Sequence, residues 1–100
     1  MKVELNNVYS FIMNSGQEVI GKVAAIDEKS VTLSNPLTIG MGPKGPVMMP
    51  AFQTVNPNTS VTLNTSSVAI YAESDEEVKD KVLELTTGLT VPPQKKIVLG

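Results

Sequence analysis

The sequence predicts an all-β domain, a small barrel or sandwich, followed by a short C-terminal helix. Short segments rich in β-branched and aromatic residues recur through residues 8–72, with turn-forming residues between them. At Ser74 the apolar spacing changes from the strand period to the helix period. The chain has 100 residues, which is room for one domain.

Val8-Tyr9-Ser10-Phe11-Ile12-Met13 reads as the first strand. Asn14-Ser15-Gly16 is a turn in which Gly16 can take a positive φ. Residues 18–26 form a longer strand, with Val19, Gly21 and Val23 on one face and Ile20, Lys22 and Ala24 on the other. A glycine inside a strand weakens it unless a sharp bend is needed, so Gly21 predicts a bend. Asp27-Glu28-Lys29 is the next turn. Residues 30–33 are a third strand, interrupted by Asn35-Pro36 and resumed at Leu37-Thr38-Ile39. Residues 40–46 hold three glycines and two prolines and predict a loop. Residues 47–52 can pair back, with Pro50 at an edge or a bulge. Asn56-Pro57-Asn58 is a tight turn, Ser60-Val61-Thr62-Leu63 a strand, residues 64–67 a polar turn, and Val68-Ala69-Ile70-Tyr71-Ala72 the last strand.

Ser74 followed by Glu77 makes a capping box. Val78, Val82 and Leu85 fall at i, i+4 and i+7, one apolar stripe. A helix is therefore expected over 75–86, with Gly88 as its C-cap and an extended tail over 89–100. The division is residues 1–72 for the β domain, 73–88 for the helix and 89–100 for the tail.

Composition narrows the function. There is no cysteine and no histidine, so thiolate chemistry, a disulfide framework and the commonest general base are absent. No metal site, cofactor or paired catalytic constellation is expected, and the chain reads as a non-enzyme. All eight cations are lysine. Residues 8–72 are neutral, while residues 73–85 carry six acids against two lysines. No segment has the basic footprint of a tight nucleic-acid binder. Neither a signal-peptide pattern nor a membrane-spanning run is seen, so the expected compartment is the cytoplasm. The compact, lysine-only chain suits a phage or a small bacterial genome.

Residues 8–33 resemble the first motif of the Sm-like family. Gly16, Val19, Gly21, Val23, Asp27, Val31 and Leu33 carry that resemblance, and residues 63–71 are similar to the second motif. An SH3-like barrel of another family shares much of this pattern. The resemblance implies a five-stranded, strongly bent antiparallel barrel that closes into a homo-oligomeric ring. In such rings the last strand pairs with the neighbour's preceding strand, which here implicates Val61, Leu63, Val68 and Ile70. The family's function implies single-stranded RNA bound near the pore by Asp27, Lys29, Ser30, Asn64 and Thr65.

Several residues depart from the family pattern. Its RNA-binding members carry an aromatic or histidine and an asparagine after the acidic residue, where this chain has Lys29 and Ser30. Their second turn carries Arg-Gly, or Lys-His in the Hfq type, where this chain has Asn64-Thr65. The family helix precedes the first strand, whereas here it follows the last. Each candidate also has a plainer explanation. Asp27 can cap its own turn. Lys29, Ser30, Asn64 and Thr65 can be ordinary solvated turn residues. The acids at 73–77 can be a dipole-favoured helix start. Met41, Met48 and Met49 can be core or protomer contact rather than a binding patch. Tyr9, Phe11, Phe52 and Tyr71 read as core or interface. Two functions follow: a ring that binds single-stranded RNA weakly, or a structural ring that has lost the RNA site and binds another protein.

Overall fold

A computed structural model describes residues 1–52, 54–56 and 59–87. The expected β domain with a short C-terminal helix is present. The chain forms β1 (Val8–Met13), β2 (Glu18–Ile26), β3 (Ser30–Gly42), β4 (Gly45–Pro50), β5 (Ser60–Asn64), a 3-10 turn (Thr65–Ser67), β6 (Val68–Glu73) and α1 (Glu76–Thr87). Every strand pairing is antiparallel. The sheet order is β4-β3-β2-β1-β6, and β5 also pairs with β3.

Two expectations are corrected. Among the described residues there are six strands rather than five, and the sheet does not close, because β5 and β6 are not paired with each other. The strand beyond the five of the expected barrel is β4, which falls largely in the segment 47–52 expected to pair back, while the loop expected over 40–46 shrinks to a tight turn. β3 instead runs on to Gly42, and β4 returns from Gly45 as a tight hairpin. The glycines make room for side chains across the hairpin. A Cβ at Gly40 would lie 2.6 Å from the Met49 terminal methyl, and one at Gly42 would lie 3.1 Å from Val47.

The sheet bends at two irregularities between β2 and β3. Ile20 pairs with Leu37, but Lys22 pairs with Ser34, so Asn35 and Pro36 together stand opposite Gly21. Asn35 takes a φ of 45°, which asparagine tolerates better than most residues. A second extra residue, Ala24, lies on β2 between Val23 and Ala25. Such bulges bend a strand and increase its twist. Asn35-Pro36 therefore does not end β3; it marks where the outer edge of β3 changes partner. β5 pairs with residues 30–34, and β4 with residues 37–42.

The bend gives the sheet two cores. Tyr9, Phe11, Val19, Val23, Val31, Leu33 and Leu63 pack on one side, joined by Val3. Val8, Ile20 and Leu37 pack on the other with Val82 of α1. The period-two pattern of β1 and β2 sorts their residues between these cores. Residues 1–7 are held by two phenols. Tyr9 Oη accepts the Glu4 N–H at 3.0 Å, and Tyr71 Oη accepts the Lys2 N–H at 2.8 Å.

The helix carries its apolar stripe as expected. Val82 is fully buried, and Val78 and Leu85 pack beside it. Its cap differs from the expected one. Asp75 Oδ1, not Ser74, accepts the Val78 N–H at 3.0 Å. The Ser74 hydroxyl is instead buried and bonded to the Ser10 hydroxyl at 2.8 Å, so no capping box forms. The expected cap Gly88 and the tail over 89–100 lie outside the described residues, as do Pro57 and Asn58 of the expected turn.

Gly21 supplies the sharpest test of this packing. A Cβ there would meet the Leu33 Cβ at 3.1 Å and its Cδ1 at 3.3 Å. Leu33 is completely buried and would have to shift within the core. Gly21→Val should cost roughly 1–3 kcal/mol by overpacking, although valine favours strands. Thermal melts read this as a lowered midpoint. An unchanged midpoint would mean that the contact with Leu33 is not a constraint.

Candidate functional site

The sheet brings the two candidate turns together. Asp27-Glu28-Lys29 leads into β3, and Asn64 ends β5, where it pairs with Ser30. Thr65 joins the turns directly. Its N–H and its hydroxyl both donate to the Lys29 carbonyl, at 3.0 and 3.3 Å. Further along the same pair of strands, the Thr32 and Thr62 hydroxyls bond at 2.9 Å. Lys29, Ser30, Asn64 and Thr65 thus share one end of the β3–β5 ladder.

These residues differ in what remains open to a ligand. The Asp27 carboxylate accepts the Glu28 N–H at 2.6 Å, and the Asp27 N–H donates to the Ser30 carbonyl at 2.9 Å. That is turn chemistry within the loop itself. The Thr65 hydroxyl is engaged by Lys29. The side chains of Lys29 and Asn64 face solvent. Among the described residues no ion pair holds Lys29. Ser30 is half-buried. A cation beside an amide can contact a phosphate and a base edge.

A stacking surface is missing from these turns. Tyr9 and Phe11 are buried in the core with ring centroids 6.3 Å apart. The Tyr71 hydroxyl holds the Lys2 N–H. Phe52, expected in core or interface, is exposed and lines a groove elsewhere. Met41 is largely exposed at the β3–β4 hairpin, while Met48 and Met49 are half-buried.

The four residues expected at a ring interface also separate. Leu63 is buried in the chain's own core, and Val68 packs against that core. Val61 is half-buried and lines the groove that contains Phe52. Ile70 is 62 % exposed on β6, between exposed Ala69 and half-buried Tyr71. β6 pairs only with β1, and β5 only with β3, so each presents one unpaired edge among the described residues.

Sequence patterning missed two features. Val3 joins the core from a segment without strand spacing, and no local signal marks it. Glu73, Lys79 and Asn7 form a polar junction where β6 passes into α1. Lys79 pairs with Glu73, with Glu76 3.7 Å from the same ammonium. Hydrogen bonds from Lys79 and then from Asn7 hold the Glu73 carboxyl below its ordinary value, and its bond to Glu73 holds the Lys79 ammonium above its own.

No group of histidine, cysteine or carboxylate side chains among the described residues is placed to hold a metal. No helix among them is long and apolar enough to cross a membrane. No protein-family model matches the chain, and no curated protein matches its sequence.

The Glu73–Lys79 pair has a predictable pH signature. The Glu73 contribution is complete above its unfolded value, near 4.5, and is lost as pH falls through the lower folded value. The Lys79 contribution is complete below its unfolded value, near 10.5, and is lost as pH rises through the higher folded value. Glu73→Gln should therefore flatten the loss of stability below pH 4.5, read by urea denaturation at a series of pH values. Glu73 is exposed and Lys79 only partly covered, so the effect is small and shrinks with added salt. Parallel curves for the variant and the parent would show that the pair adds no acid-side stability.

Proposed function

We propose that the chain is one protomer of an Sm-like ring whose adjacent turns bind single-stranded RNA weakly. The observation that carries this proposal is the strand order β6-β1-β2-β3-β5 with both outer edges open. A 3-10 turn joins β5 to β6, so the two open edges belong to consecutive strands. An unpaired edge is a template for another chain. Pairing β6 of one copy with β5 of the next joins unlike edges, and repetition of that contact can close a ring. The exposed Ile70, with exposed Ala69 and Ala72 on the same strand, suits such a contact. The resemblance of residues 8–33 to the first Sm motif supports the same assignment, and the β3–β4 hairpin then lies in the region between the two motifs.

RNA is the ligand that the exposed Lys29 and Asn64 suit best. Each protomer offers one cation and one amide, a weak site that a ring multiplies. A second function is favoured by a specific observation: Asp27 and Thr65 are engaged within the turns, and no aromatic ring stands beside them. That arrangement fits a ring that has lost its RNA site and binds another protein.

Oligomeric state tests the ring. Light scattering at micromolar protein should report a closed homo-oligomer, and Ile70→Lys should dissociate it. A monomeric parent protein would overturn the proposal.

Binding of fluorescent oligo-U and oligo-A at two salt concentrations tests the ligand. Lys29→Ala should weaken binding and reduce the salt slope by about 0.7 for each phosphate no longer neutralised. Asn64→Ala should weaken binding at unchanged slope and relax base preference. Loss of binding only in Lys95→Ala with Lys96→Ala would place the affinity outside the turns. Absence of binding at tens of micromolar protein would favour the protein-interaction ring.

A further inference from the structure

A groove of about 150 Å³ opens where β4 and β5 diverge from β3. Leu37 and Asn35 contribute from β3, Val61 from β5, Phe52 and Val55 from the β4–β5 connection, and Leu85 from α1. The lining is largely apolar, yet Phe52 and Val55 are exposed at 40 % and 36 %. One polar group at this groove is unsatisfied. The Oδ1 of Asn35 is buried and has no hydrogen-bond partner among the described residues. A buried acceptor of that kind calls for a donor. An extended peptide brings backbone N–H donors together with alternating side chains.

We infer that this groove is occupied by residues 95–99 of the same chain. Position is the first argument. Leu85 and Thr86 line the groove, and α1 ends at Thr87, so residue 88 is joined to the described chain beside the groove. The nine residues 88–96 reach at most about 30 Å, which is enough to turn back. Pro92-Pro93 opposes continuation of the helix. Sequence is the second argument. In an extended Ile97-Val98-Leu99, the side chains of Ile97 and Leu99 fall on one face, and two aliphatic groups suit this groove. Charge is the third. Lys95 and Lys96 precede the apolar triplet, while residues 73–87 carry a net charge of −4. The exposed Glu77, Asp80 and Glu84 lie on the helix that ends at the groove.

The absence of native cysteine makes a clean test in the full chain. In a Val55→Cys, Leu99→Cys variant, mild oxidation should form a disulfide within one chain, because the bond needs Cα atoms within about 7 Å. A Ser15→Cys, Leu99→Cys control, with Ser15 in the β1–β2 turn, should not cross-link at a comparable rate. Val55→Cys alone gives a second readout without any cross-link. Its reaction with a thiol reagent should be several-fold slower than in the same variant carrying Ile97→Asp and Leu99→Asp. Equal cross-linking of the two pairs, or equal thiol reactivity with and without the aspartates, would overturn the inference. Cross-links found only between chains would also overturn it and give the groove to a neighbouring copy. Each readout reports proximity within a chain, so it holds or fails independently of ring formation.

Discussion

The packing of Gly21 against Leu33 is the constraint on which the rest of the structure depends. Their contact is close enough that a Cβ at Gly21 would crowd the buried leucine. Across from Gly21, β3 carries the two residues Asn35 and Pro36, and the strand pair bends there. A flat sheet of this length would serve one core. The bent sheet curls its β1–β3 face around Phe11, Val23 and Leu33, and leaves Val8, Ile20 and Leu37 on the far side for α1. The same bulge divides the outer edge of β3 between β5 and β4, and the groove lies at that division.

Much of this arrangement was legible in the sequence because it rests on local pattern. The alternation through Val19, Ile20 and Val23 places these residues in opposite cores, as period two requires. The stripe of Val78, Val82 and Leu85 is the buried face of α1. Gly21 stood out because a strand-interior glycine needs a reason. What stayed hidden depends on partners distant in sequence. Gly40 and Gly42 look like breakers until Met49 and Val47 are placed diagonally across the hairpin from them. Ser74 and Asp75 both carry oxygens able to cap α1. Only the position of Ser10 decides that Ser74 turns inward and Asp75 caps. Val3 has no pattern around it, and it is held because Tyr9 and Tyr71 pin the backbone on either side.

The candidate site shows the same division. That two turns carry polar residues was plain from composition. That they meet depends on the β3–β5 pairing, which sets Ser30 opposite Asn64. Their roles then separate by hydrogen bonding, which residue type alone does not reveal. Thr65 and Asp27 brace the turns, and Lys29 and Asn64 are left to solvent. A site of one cation and one amide lacks the stacking surface that gives single-stranded nucleic-acid sites much of their affinity. Repetition is the physical route by which such a site gains strength.

The distribution of covered and uncovered surface bears on how copies would meet. Both faces of the sheet have a core, one within its own curl and one under α1. Face-to-face packing of sheets would have to displace one of them. The lateral edges of β5 and β6 are different, because their outer backbone groups have no strand partner among the described residues. Unpaired edges of soluble proteins are commonly blunted by charge or proline. Residues 68–72 of β6 carry neither, and Ile70 stands there largely exposed, with exposed Ala69 and Ala72 on the same strand. Charge concentrates instead at the end of that strand, where Glu73 meets Lys79 and the acidic first turn of α1 begins. An edge left apolar along its length and charged at its end admits a neighbouring strand and limits how far it can slide. In the proposed ring that combination would set a register for association, which an edge blunted by charge throughout would not do.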